Sequence, residues 1–201
     1  MGITERRQRQ KEEVRTSILD AARQVAMEEG WDALSIRKIA DAIEYSVPVI
    51  YDHFENKDAI LHEFTKEGFV LMADCLKRAK DKHQDPAEQL IAMADAYWHF
   101  AFTEKAYYQL MFGLGMPTCD MVRKVPEIQL YSGLLMDSIK QIIAASSHPE
   151  TDSFLKYLTF FSTLHGLVSI NLVGPGSSEH DPKMEMVLQD AVTSFIKALK
   201  A

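Results

Sequence analysis

Apolar residues recur along this chain at three- and four-residue intervals, the period of an α-helix with one face against a core. Ile18, Ala21, Ala22, Val25 and Ala26 form the first stripe, and Gly30 ends the helix that carries it. A shorter set follows: Ser35 as a cap, then Ile36, Ile39, Ala40 and Ile43 on one side. Asn56 opens a long pattern that ends near His83–Pro86. Residues 86–105 put Leu90, Ala94, Tyr97, Trp98, Ala101 and Phe102 on one wide face. A short helix is then broken by Gly113, Gly115 and Pro117, before an irregular stretch and an amphipathic helix over 126–147. Residues 153–173 are apolar on almost every side, 174–182 read as a loop, and Met184, Leu188, Ala191, Val192, Phe195 and Leu199 share one face of a last helix. With no strand-like alternation, the fold class is all-α.

Residues 34–61 are the most specific stretch. They predict two short helices joined by a tight turn at Glu44-Tyr45, then the start of a third. Ser46 caps the second, Pro48 sits in its first turn, and its span to about Phe54 is too short to be stable alone. Ile50 and Phe54 turn inward, and Val47 and Val49 are expected outside. A short, neighbour-held helix with an outward N-terminus is the recognition element of a helix-turn-helix.

Ala40, Ser46, Ile50, Tyr51, His53, Phe54, Lys57 and Ile60 also reproduce a sharper pattern, which resembles the TetR family of bacterial transcriptional repressors over residues 12–66. Two positions depart from it. Glu44 stands where the family usually has glycine, and Tyr45 where it has a small aliphatic. A left-handed Glu44 would cost about 1 kcal/mol.

The resemblance implies a three-helix DNA-binding domain over residues 1–57, its motif about 35–54, and a ligand-binding and dimerisation domain over 58–201. Ser35, Arg37, Tyr51 and His53 fall at positions that face DNA in the family. Arg37 suits a bidentate contact to guanine, and Lys57 a phosphate at the start of its helix. Lys38 is either a DNA contact or a solvated cation. Ser46 closes the turn, and Val47, Pro48 and Val49 could meet a thymine methyl. Asp52 could accept from cytosine N4 or remain a solvated charge, and His53 has an alternative as a packed histidine bonded to a carbonyl.

Charge constrains this picture. The chain of 201 residues carries a net charge of −7. Its first 57 residues hold nine Lys and Arg against eleven Asp and Glu, a net of 9 − 11 = −2. A DNA surface must therefore come from uneven distribution. Arg6, Arg7, Arg9 and Lys11 form an N-terminal arm that is either a solvated tail or a minor-groove or phosphate contact. No apolar run follows this charged start, so no signal peptide is expected; no apolar stretch reaches membrane-spanning length without a charge, so no membrane span is expected either, and a cytoplasmic location is. Cys75 and Cys119 read as reduced thiols.

The second half resembles the WHG-type branch of the same family. The carrying segments are AYWHFAFTEKAYYQLMFG and FFSTLHGLVSINLVG, with Lys105 at the branch's proline position and Leu164 where its tryptophan would precede His165-Gly166. Trp98, Tyr107, Tyr108, Met111, Phe112 and His165 are the candidate ligand-binding residues; ordinary core is the alternative for each. Gly113, Gly115 and Gly166 would leave room for one helix to shift against another. The doubly apolar helix predicts a homodimer through residues about 151–200. No phosphate loop, nucleophile elbow or metal-ligand spacing occurs, so no enzyme activity, cofactor or metal is expected. The expected function is a ligand-responsive DNA-binding transcriptional regulator. It would most simply be a repressor, held as a dimer on a palindromic double-stranded operator and released by a small apolar effector.

Overall fold

The computed structural model describes residues 2–113, 126–173 and 181–201. All regular structure among them is helical: α1 Ile3–Glu29, a single 3-10 turn Trp31–Ala33, α2 Ile36–Ala42, α3 Val47–Tyr51, α4 Lys57–Lys80, α5 Pro86–Thr103, α6 Lys105–Phe112, α7 Pro126–Ala144, α8 Ser153–Val173 and α9 Pro182–Lys200. The chain divides into two compact units, Met1–Thr65 and Lys66–Ala201. The division falls inside α4, eight residues beyond the sequence-derived limit of 57. Gly115, Pro117, Cys119 and the 174–180 part of the expected loop lie outside the described residues.

The first unit is built on α1. Ile18, Ala22 and Ala26 are buried, with Ile39, Ile50, Ile60 and Phe64 filling the same core. Helix α1 begins at Ile3, so the basic arm is its first turns and not an extended tail. Ser35 caps α2 by accepting from the Lys38 N–H at 3.2 Å. Ser46 occupies the N-cap of α3 with no side-chain bond to the helix, and α3 spans only five residues.

The α2–α3 turn is a Schellman ending. The Tyr45 N–H donates to Ala40 O at 3.0 Å and the Glu44 N–H to Asp41 O at 3.3 Å. That pairing requires a left-handed residue between the helix and Tyr45, and Glu44 supplies it at φ 58°. Glycine carries no Cβ penalty there; glutamate does.

The second unit surrounds α5, which packs against α6, α7, α8 and α9. Three aspartates start helices here. Asp85 accepts from Ala87 and Glu88 N–H at 2.7 and 3.1 Å, Asp152 from Phe154 and Leu155 N–H at 2.9 and 3.1 Å, and Asp181 from Lys183 N–H at 2.9 Å. The two backbone bonds hold the Asp85 carboxyl below the usual carboxylate range. Tyr157, Phe160, Leu164 and Val168 make the buried stripe of α8. Its other side carries Phe154, Leu155, Leu158 and Ile170, which are 42–73% exposed. Gly166 belongs to that outer side: a Cβ built on it meets nothing within 4 Å. The expected spacer role therefore fails at Gly166 and appears at Gly68 of α4, where a Cβ would fall 2.6 Å from Met111 Sδ and 2.9 Å from its Cγ.

Glu44→Gly should raise the unfolding free energy by up to about 1 kcal/mol, since it removes the left-handed penalty at some cost in unfolded-state entropy. Glu44→Val should lower it. Urea unfolding of the full chain, with amide exchange localising the change to α2 and α3, checks both; equal stability of all three would refute the strain.

Candidate nucleic-acid interface and candidate ligand site

Helix α3 is held by Ile50, which is fully buried, and by Phe54 just beyond it. Arg15 of α1 lies over the Phe54 ring at 4.6 Å and pairs with Glu63 at 3.4 Å, which closes one side of the unit. Trp31 packs on Phe64 at 4.9 Å and Arg23 over the same ring at 5.4 Å. With its inward side fixed, the segment presents Tyr45, Ser46, Pro48, Tyr51 and Asp52 to solvent, and α2 presents Arg37. Val47 and Val49 are half-buried, not outside as expected, because a five-residue helix packed so closely leaves its flanks partly covered.

Three other residues stand differently. Lys38 reaches back to Glu29 at 2.7 Å, so its charge is already matched. His53 is half-buried, and its Nδ1 is buried without a hydrogen-bond partner among the described residues. The carbonyl-bonded reading of this histidine is therefore not what the structure contains. Lys57 sits half-buried at the first turn of α4, where Asn56 Oδ1 accepts from the Ala59 N–H at 2.8 Å. Of the three cations of this surface, Lys38 is the paired one, and Arg37 and Lys57 make no ion pair with a described residue. Ser35, Ser46 and Tyr51 add hydroxyls to the same surface, and His53 an imidazole.

In the second unit, Tyr108 of α6 lies at the centre of a hydrogen-bonded chain that is buried at Tyr97 and Tyr108 and half-buried at His165 and Ser169. Its hydroxyl is 2.9 Å from that of Tyr97 and 2.7 Å from His165 Nδ1, and His165 Nε2 is 3.4 Å from Ser169 Oγ. Burial pushes the Tyr97 and Tyr108 phenols up and the His165 imidazole down, so all three are neutral at pH 7. Tyr97 is fully buried. Its proton has an acceptor in this chain only if Tyr97 donates to Tyr108, Tyr108 to His165 Nδ1, and His165 Nε2–H points to Ser169.

Rings wall this chain. Phe112 lies 4.8 Å from Tyr108 and 5.0 Å from His165, while Phe161 stacks on His165 at 5.6 Å. Of the six expected ligand residues, the structure therefore joins Tyr108, Phe112 and His165. Tyr107 and Met111 lie on the side of α6 that meets Gly68, and Trp98 packs against Phe102 at 4.8 Å. Tyr97, Phe161 and Ser169 complete the cluster. The i ± 4 spacing of Phe161 and Ser169 about His165 is the signal in the sequence that points to them, and the all-apolar pattern of the helix masks it.

Comparisons with known proteins cover both units. Residues 18–64 match the model described as "Bacterial regulatory proteins, tetR family", and residues 90–195 match "Tetracyclin repressor-like, C-terminal domain". The HTH-type transcriptional repressor Rv1474c of Mycobacterium tuberculosis is 36% identical over 64 residues, 32% of this chain and 34% of that protein. The HTH-type transcriptional activator FasR of Mycolicibacterium smegmatis is 26% identical over 102 residues, 51% and 47% of the two chains. The matches thus span between about a third and a half of these relatives' lengths. Among solved structures, a protein of unknown function from Rhodococcus sp. RHA1 superposes with a TM-score of 0.76 at 23% identity, over 93% of this chain and 95% of that one. The TetR family transcriptional regulator PfmR from Thermus thermophilus gives 0.62 at 18% identity, over 90% and 97%. These likenesses establish the fold.

The imidazole predicts a pH dependence. His165 is held below its ordinary 6.5, so the folded chain binds this proton less readily than the unfolded one. Its contribution is fully present above pH 6.5 and is lost as pH falls through the unfolded value toward the folded one. The melting temperature of His165→Gln should therefore fall less between about pH 7.5 and 5.5 than that of the wild type. Identical pH slopes would show that His165 titrates normally.

Proposed function

This chain belongs to the TetR family of bacterial transcriptional regulators, with a helix-turn-helix DNA-binding domain, and we propose that it is a repressor released from its operator by a small uncharged ligand. On this reading two copies bind a palindromic double-stranded site, each placing α3 in a major groove, with half-sites about one helical turn apart. Arg37 reads a base edge. Ser35, Tyr51 and His53 bond phosphate oxygens, and Lys57 supplies a charged phosphate contact. Ser46, Val47, Pro48, Val49 and Asp52 line the groove side, and Lys38 contributes only by leaving Glu29. The exposed row Phe154, Leu155, Leu158 and Ile170 on α8, with Met186 and Val187 on α9, supports pairing of the two copies through these helices.

The observation that carries the ligand response is the Tyr97–Tyr108–His165–Ser169 chain inside aromatic walls. A structural core seldom gathers four polar side chains in one place unless their bonds are fully made. Here the line crosses from α5 through α6 to α8, and an incoming hydroxyl or carbonyl can exchange with one of its links. Such a ligand is neutral and in part aromatic, because the described wall holds no Lys, Arg, Asp or Glu. It works by population shift and needs a few kcal/mol of preference for the released state. Helix α4 begins at Lys57 and meets α6 at Gly68, so a move of Tyr108 and its helix can reach the DNA contact.

Selection from a random DNA pool, followed by gel shift and a reporter assay, tests the whole reading. Arg37→Ala should cost about 1–3 kcal/mol on the selected site. Lys57→Ala should weaken selected and unrelated DNA alike and reduce the salt slope by about one; an unchanged slope removes it from the phosphate contacts. Reporter output that rises with the bound protein would make it an activator.

The assembly has its own check. Leu155→Asp places a charge on the outer face of α8 without entering the chain's own core. It should turn a dimer into a folded monomer that binds the selected DNA weakly, as read by sedimentation and gel shift. A wild type that is monomeric at micromolar concentration would end the two-copy picture.

A further inference from the structure

Tyr45 stands apart from the DNA-facing residues named so far. It occupies the position after the left-handed residue of the Schellman turn, immediately before the α3 cap residue Ser46. Its backbone is fixed by the 3.0 Å bond to Ala40 O, and Glu44 takes an unfavourable φ of 58° on its other side. An apolar residue in this place ordinarily packs back onto the helix it follows. Tyr45 does so only in part: it is 47% exposed, close to the 51% of Tyr51 at the far end of α3. No hydrogen bond engages its hydroxyl among the described residues.

We propose that Tyr45 is a further DNA-contact residue, a neutral clamp whose hydroxyl donates to a phosphate oxygen beside the groove that α3 enters. The proposal rests on the DNA-binding reading of α3 and extends it by one side chain. Three observations favour a phosphate over a base edge. Tyr45 precedes α3 and therefore lies at the border of the element that would fill the groove. The first 57 residues carry net negative charge, 9 − 11 = −2, and Lys38 is matched by Glu29. With Arg37 and Lys57 as the unpaired cations of the motif, neutral donors are left a share in holding a polyanion, and phosphate oxygens take many of the hydrogen bonds that proteins make to DNA. A fixed aromatic body with one polar tip loses little conformational freedom on engagement, unlike a lysine.

A neutral clamp differs from a basic one in a measurable way. A lysine or arginine on a phosphate releases a counterion, and its loss flattens the dependence of affinity on salt. A hydroxyl releases none. Tyr45→Phe keeps the ring and removes only the donor. It should weaken binding about three- to tenfold, on selected and unrelated DNA alike, with the salt slope unchanged. Base preference should also be unchanged when the selection is repeated with the variant.

The experiment uses the full chain, DNA selected by the wild type, and fluorescence anisotropy at several salt concentrations. Thermal unfolding of both proteins runs beside it, because Tyr45→Phe should melt as the wild type does. Tyr45→Phe binding that matches the wild type refutes the contact and leaves Tyr45 a packing residue. A weaker affinity with a changed base preference refutes the phosphate assignment. A wild type that selects no DNA at all refutes the underlying reading of α3, an outcome separate from either.

Discussion

A five-residue helix cannot persist in water by itself, because its few internal hydrogen bonds do not offset the cost of ordering the backbone. Everything proposed for the DNA-facing surface depends on how α3 escapes that limit. Ile50 is fully buried and Phe54 nearly so, and Arg15 lies across the Phe54 ring. On the other side, the Schellman turn welds α3 to α2 through the Tyr45 and Glu44 N–H groups. The helix is thus held from below and from its N-terminal side, and its outer residues are free of structural duty. That separation explains how Tyr45, Pro48 and Tyr51 can remain exposed on an otherwise well-packed unit.

The second unit solves a different problem. Placing Tyr97, Tyr108 and His165 in a core carries a desolvation cost, which the hydrogen-bonded line offsets only while it stays intact. Its proton order is set by the member buried most completely, Tyr97. Because none of the three is charged, the core tolerates them without a salt bridge. The line also ties three helices together through side chains alone. This makes α6 more sensitive to an added or withdrawn hydrogen bond than a wholly apolar contact would be.

Much of the fold is legible in the chain, and the reasons are local. Periodic apolar stripes locate the helices, Ser35 and Asn56 mark starts, and the Glu44-Tyr45 pair marks the turn. The helical start of the basic arm is less visible, since Arg, Gln, Glu and Lys favour helices without an apolar stripe to announce one. Within the candidate site, the nature of the residues is readable but their grouping is not. His165, Tyr108 and Phe112 come together because helices cross there, and no spacing within one helix encodes a contact 57 residues away. Gly166 misleads for the same reason: a glycine in an apolar helix gives no sign of which neighbour it faces.

Gly68 has a consequence for how this chain can vary. The space its missing Cβ would occupy belongs to Met111, whose sulfur would be only 2.6 Å away. The two positions therefore share one volume, although they lie 111 − 68 = 43 residues apart. A larger residue at 68 has to displace the flexible Met111 side chain or be matched by a smaller residue there, and a smaller residue at 111 leaves space that a side chain at 68 can fill. Drift at either site in descendants of this chain is therefore coupled to the other. What descent would preserve at the α4–α6 contact is a volume, not two identities.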